Sequence, residues 1–112
     1  MTEEQIKPDC LFCKLARDPG AVIWENDQFV ALNDIHPKAR LHFLIIPKQH
    51  VDSLNQATPD LAAGLIAATQ ELARVKEVSD GYKVIVNVGR KGGQEINHLH
   101  LHLLVGPVKG FS

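Results

Sequence analysis

The sequence predicts an α+β fold: a five-stranded, mostly antiparallel sheet with one long helix and one short one. Three observations lead there. Strand-like runs follow one another instead of alternating strictly with helices, which disfavours a parallel βαβ arrangement. One segment, from Thr58 onward, carries a full set of helix signals. Near its end the chain reads His98-Leu99-His100-Leu101-His102-Leu103, an alternation with the period of two that belongs to a strand.

The elements follow in order. Residues 1–9 read as a frayed lead-in. Cys10 to Arg17 is a short helix stopped by Asp18-Pro19-Gly20. Ala21 to Glu25 and Gln28 to Leu32 are apolar runs around Asn26-Asp27, a hairpin without the glycine that tight primed turns prefer. His42 to Pro47 is a strand apolar enough to be buried on both sides. Thr58 caps the long helix, Pro59 fits its first position and Asp60 complements its dipole. Leu61, Leu65, Ala68, Leu72 and Val75 form its apolar stripe, and Gly81 is the expected stop. Tyr82 to Val88 is the fourth strand, Gly89 to Gly93 a loop, and His98 to Val105 the fifth strand. A sheet with so few helices leaves an edge uncovered, so pairing with a second copy is expected.

Bulk properties set limits. The 112 residues make one domain, 1–112, and the composition (45% apolar, 22% charged) is that of a globular protein. Twelve basic against 13 acidic residues give a net charge of -1, which offers no surplus for wrapping nucleic acid. No apolar stretch is long enough to cross a bilayer. Met1-Thr2-Glu3-Glu4 lacks a signal peptide's basic start, so a cytoplasmic location without membrane partners is expected, with Cys10 and Cys13 as reduced thiols.

The chemistry concentrates in the alternating run. In a strand, His98, His100 and His102 line one face and Leu99, Leu101 and Leu103 the other. The bland reading is three exposed histidines on an edge strand. The sharper one starts from Gly89-Arg90-Lys91-Gly92-Gly93-Gln94, whose glycines let backbone amides approach an anion, with Gln94 and Asn87 offering side-chain donors. A neutral imidazole beside an anion site can attack phosphorus and split one displacement into two. His100, flanked on both sides, is the natural nucleophile. His42 is either a satisfied core histidine or a proton partner for the row. A histidine row is also a candidate catalytic metal set.

Cys10-Leu11-Phe12-Cys13 is two ligands short of a tetrahedral zinc site. His50 and His98 complete it if both turn toward the cysteines; otherwise the pair is two buried thiols. Asp34, after a strand, suits a ribose and Ile35 a base, although a turn before Pro37 explains Asn33-Asp34 as well.

Taken together, Cys10 to Cys13, Asp34-Ile35 with Pro37, His42-Phe43, Ile46-Pro47-Lys48 with His50, Asn87, Gly92-Gly93-Gln94 and the histidine row resemble the histidine triad family, and within it the Hint branch of nucleoside phosphoramidases. The resemblance covers nearly the whole chain. It implies a homodimer whose two sheets join, and hydrolysis of purine nucleoside 5′-phosphoramidates and of nucleotidyl adducts on amines such as lysine. It implies His100 as the residue that becomes AMP-linked, with His102, Gln94 and Asn87 on the α-phosphate and His98 behind them. Gly93 and Glu95 fall in the same nucleotide-contacting loop, Asp34 on the ribose and Ile35 on the base. It implies a structural zinc on Cys10, Cys13, His50 and His98 in some members, and no cofactor needed for catalysis. Glu95 stands where many members have serine, and the tail Lys109-Gly110-Phe111-Ser112 lacks the tryptophan of some relatives. Hydrolysis of dinucleoside polyphosphates, and a non-catalytic role as a nucleotide-binding or interaction protein, are the alternatives.

Overall fold

A computed structural model describes residues 7–107. A five-residue helix, α1 (Leu11–Leu15), leads into the hairpin β1 (Val22–Glu25) and β2 (Phe29–Asn33), then β3 (Leu41–Pro47), the long helix α2 (Pro59–Val75), β4 (Lys83–Ile85) and β5 (Leu101–Val105). Two single-turn 3₁₀ segments, Leu54–Gln56 and Arg90–Gly92, were not expected from the sequence. The strands form one sheet in the order β1-β2-β3-β5-β4, and every neighbouring pair is antiparallel. The α+β expectation holds. The C-terminal tail from 108 and the first six residues of the expected lead-in lie outside the described residues.

Local chemistry accounts for each turn. Asn26 Oδ1 accepts from the amides of Gln28 and Phe29 at 3.0 and 2.8 Å, so an asparagine side chain closes the hairpin where no glycine is available. Thr58 Oγ1 accepts from Leu61 N at 3.1 Å and starts α2 as expected. The stop differs. The helix ends at Val75, not near Gly81, because Glu77 takes a left-handed conformation (φ 59). Glu77 N bonds Arg74 O and Val78 N bonds Ala73 O, the paired closure of a Schellman motif, with Val78 buried behind it. Val75 therefore sits on the last turn and is half exposed, off the apolar stripe. Glu77→Gly, which removes the Cβ from this strained position, is expected to stabilise the fold by about 0.5–1 kcal/mol in denaturant melts.

The two cores sit on opposite faces of the sheet. Phe29, Ala31, Phe43, Ile45, Leu99, Leu101 and Leu103 pack under α2 with Leu65, Ala68 and Leu72. Val30, Leu32, Leu44 and Ile46 pack on the other face against Phe12 and Ala16. Full burial of a side chain such as Leu72 contributes about 1.5–3 kcal/mol. β2 and β3 are covered on both sides, as the unbroken apolar run of β3 predicts. The last two strands are shorter than expected. Leu99 N bonds Val51 O at 2.7 Å, which draws the chain away before Leu101, so β5 starts there and not at His98. β4 loses its ladder partner at the same point and ends at Ile85 instead of Val88.

Candidate active site

Although the ladder stops at Leu101, the alternation of faces persists: Leu99, Leu101 and Leu103 all enter the α2 core. The imidazoles lie on the other side, but they do not form a single row. His100 and His102 are neighbours, with ring centres 5.1 Å apart. The His98 ring, fully buried, turns to the cysteines. Its main chain returns to the row, because His100 Nδ1 lies 2.8 Å from His98 O.

Hydrogen bonds assign the tautomers. A carbonyl oxygen only accepts, so His100 Nδ1 carries the proton and the neutral ring has its lone pair at Nε2. His42 Nδ1 accepts from Lys38 N at 3.1 Å, so the proton of neutral His42 is on Nε2. That Nε2 is 2.9 Å from His102 Nδ1, which must accept, and the proton of His102 is therefore on its Nε2. One strand thus presents a bare nitrogen at His100 and a donor at His102. Asp34 Oδ2 lies 3.4 Å from His42 Nε2, and its Oδ1 accepts from His36 N at 2.8 Å. His42 is buried, and its ring is bonded to the row through His102.

Burial, with the His100 and His42 imidazoles beside it, pushes the His102 pKa down to about 4. Burial chiefly pushes His98 down to about 4 as well, and lowers His42 against the pull of Asp34. These rings are neutral near pH 7. The unfolded chain binds protons at roughly pH 6.5, and the folded chain does so only near the depressed values. Between those limits the unfolded state holds more protons, so stability falls as pH falls. Melts of metal-free protein are expected to show a steady drop in Tm from about pH 6.5 toward about pH 4.5, each pKa unit per group being worth about 1.4 kcal/mol. A flat Tm across that window would show that these rings are not held neutral.

The loop between β4 and β5 borders the row in sequence. Gly89 (φ 68) and Gly93 (φ 86) hold backbone conformations that side chains resist. Asn87 Nδ2 donates to Gly92 O at 2.7 Å. Gln94 is buried and committed to the chain: its Oε1 accepts from Gly89 N, and its Nε2 donates to Asp52 O and Ile96 O. Its side chain braces the loop, and it reaches an anion only by giving up one of these bonds. Glu95 is exposed and lines an open cleft with Cys10, His50, Asp52 and Asn97. Ile35, at 85% exposure, stands clear of the surface beyond Asp34.

The cysteine motif gathers both expected histidines. Cys10 Sγ is 3.3 Å from His98 Nδ1, and Cys13 Sγ is 3.3 Å from His50 Nδ1 and 3.6 Å from His98 Nδ1. All four donor atoms lie within 4.8 Å of one another. A tetrahedral zinc with N and S ligands separates its donors by about 3.3–3.8 Å. His98 Nε2 donates to Pro47 O at 2.8 Å and His50 Nε2 to Asp52 Oδ1 at 2.7 Å, which leaves each Nδ1 facing the sulfurs. Such outer partners are what orient metal-binding histidines. Without metal, burial holds the Cys13 thiol above its ordinary pKa. The donor set fits zinc.

Asp34, His42 and His102 also bring three ligand atoms together, but this set fits a metal poorly. Lys38 N–H already occupies the Nδ1 lone pair of His42. Ligation through Nε2 would then require a doubly deprotonated imidazole. Sequence reasoning missed Lys38 N, Pro47 O, Asp52 and Phe12. Only Pro47 O acts across a long stretch of chain, 51 residues from His98, whereas Lys38 N and Asp52 lie four and two residues from the histidines they orient and Phe12 stands inside the cysteine motif.

The fold and site define an α+β protein that presents a histidine pair with a bare ring nitrogen at His100, and a glycine turn just upstream in the chain. The HIT domain profile matches residues 16–107. The chain is 40% identical over 105 residues to Protein HitA of Neisseria gonorrhoeae, covering 89% of this chain and 98% of that one. It resembles the crystal structure of a HIT family hydrolase from Legionella pneumophila Philadelphia 1 at 41% identity and TM-score 0.80, covering 88% and 94% of the two chains. It also resembles a histidine triad nucleotide-binding protein from Candida albicans at 27% identity and TM-score 0.75, covering 92% and 86%. The chain belongs to the HIT domain family.

Proposed function

We propose that this chain is a hydrolase of the Hint type that cleaves the P–N bond of purine nucleoside 5′-phosphoramidates and of AMP adducts on amines. The observation that carries the reading is the 2.8 Å bond from His100 Nδ1–H to the His98 carbonyl, which leaves Nε2 free to attack. His100 Nε2 attacks the α-phosphorus, the P–N bond to the amine breaks, and the amine leaves with a proton taken from solvent. Water then attacks the same phosphorus, breaks the bond to His100 and releases AMP. His102 Nε2–H donates to the phosphoryl oxygen that gains charge. Asn87 and the amides around Gly93 line the α-phosphate, Asp34 receives the ribose hydroxyls and Ile35 meets the base. Glu95 is proposed to favour a basic amine as leaving group.

Two relatives support the class, one described as a hydrolase and one as nucleotide-binding. Zinc on Cys10, Cys13, His50 and His98 would be structural, pinning α1 to the sheet without taking part in turnover. A homodimer fits β4 at the sheet edge and the half-exposed Val84, Ile66 and Val75. Among the described residues no helix is long and apolar enough to cross a membrane.

The test is a rapid quench with adenosine 5′-phosphoramidate. An AMP adduct mapped to His100 is expected, with faster turnover of this substrate than of diadenosine polyphosphates. Faster cleavage of the polyphosphates would assign the site to the alternative substrate class, and the absence of any adduct would point to nucleotide binding alone.

A further inference from the structure

We propose that in the zinc-free chain Cys10 and Cys13 are an oxidisable dithiol whose conversion to a disulfide disables His100 by withdrawing the supports of its ring. The functional half of this inference rests on His100 being the nucleophile.

The two sulfurs and the nucleophile share their neighbours. Phe12 lies between the cysteines in α1 and is buried, with its ring edge-on to His100 at 5.1 Å and to His98 at 6.0 Å. The His98 ring meets Cys10 at 3.3 Å and Cys13 at 3.6 Å, while its carbonyl holds His100 Nδ1–H. Any change at the sulfurs therefore reaches His100 by two routes, the Phe12 ring and the His98 main chain.

The pair is placed to react. Cys13 N donates to Cys10 Sγ at 3.4 Å, and the sulfurs are within 4.8 Å of each other. Cys10 is half-buried and lines the open cleft with Lys7, Asp9 and Asp52, while Cys13 is buried. Peroxide thus meets Cys10 first. The Cys10 sulfur bonds one peroxide oxygen, the O–O bond breaks, and water leaves, so the sulfur is oxidised to a sulfenic acid. Cys13 Sγ then attacks Cys10 Sγ, the S–O bond breaks, and the departing hydroxide takes the Cys13 proton as a second water. In sum, two thiols and one peroxide give one disulfide and two waters.

A disulfide brings the sulfurs to about 2.05 Å. Each now points at a ring nitrogen, so the bond pulls both away and leaves His98 Nδ1 without a partner in a fully buried position. The His98 carbonyl and Phe12 shift with it, and His100 loses its fixed tautomer and aim.

The purified full chain, freed of metal with a chelator, is treated with hydrogen peroxide and followed by peptide mapping, by turnover of adenosine 5′-phosphoramidate and by the ¹⁵N resonances of His100. A Cys10–Cys13 disulfide is expected to form in step with a loss of kcat of at least about tenfold and a change in the His100 ring resonances, all reversed by a thiol reductant. Turnover by Cys10→Ser, whatever its level, should not respond to peroxide, and Cys13→Ser should stop at a trappable sulfenic acid on Cys10. Oxidation that yields no Cys10–Cys13 disulfide overturns the proposal, as does a disulfide that leaves kcat and the His100 resonances unchanged. If the reduced protein has no phosphoramidase activity, the functional reading fails, and the disulfide with the His100 resonances still decides this proposal.

Discussion

His100→Ala is expected to lower turnover of adenosine 5′-phosphoramidate by about ten-thousand-fold or more, while AMP still binds. Removing a nucleophile typically costs several orders of magnitude because the covalent route disappears and only binding and charge stabilisation remain. In this protein the loss should be nearly complete, because His102 cannot take over. Its Nδ1 accepts from His42 and its Nε2 carries the proton, so in this bonding pattern it has no lone pair to offer phosphorus. The fold should survive the change, although Phe12 loses one ring contact. Single-turnover kinetics with AMP titration check both halves. A variant that keeps its rate would remove His100 from the chemistry altogether.

His102→Ala is expected to cost about 10²–10³ in kcat with little change in KM, the usual consequence of losing one donor aimed at developing charge. The more informative companion is His42→Phe. It leaves His102 in place but removes the Nε2–H that fixes the His102 tautomer. A loss of about tenfold in kcat is expected, since His102 then divides its proton between both nitrogens. Because His42 acts through His102, the double variant should be little worse than His102→Ala alone. If the two losses multiplied independently, the hydrogen-bond chain from Lys38 N through His42 to His102 would not be what sets the donor.

Much of the site was legible in the sequence, and its legible parts share a cause. The alternation of His98 to Leu103 placed leucines in the core and imidazoles opposite, because a strand-like backbone has a period of two whether or not a ladder forms. The glycine-rich loop announced its own backbone, with Gly89 and Gly93 at positive φ. The Cys10-Cys13 spacing pointed to a cluster, and His50 and His98 both turned to it. His98 was open to two readings, a member of the histidine row or a partner of the cysteines, and the structure divides it between them. The ring of His98 serves the cysteines and only its carbonyl serves His100. Likewise Gly81 looked like the helix stop, but Glu77 took the left-handed position because Val78 gains burial there.

By itself the sequence determined which residues face which side, where α2 begins, and which residue types could meet an anion or a metal. These follow from periodicity, capping and side-chain chemistry, all written within a few residues. Only the tertiary structure decided which ring nitrogen is bare and which carries a proton. For His102 and His98 that choice depends on His42 and Pro47, 60 and 51 positions away, and on cysteines 85 and 88 positions away from His98, brought together by the strand order and the packing of α1 on the sheet. For His100 and His42 the partners, His98 O and Lys38 N, lie two and four residues away, and the fold decides only that the rings turn to them. A tautomer is set by the partner across the hydrogen bond, and no local pattern names a partner that the chain reaches only after folding.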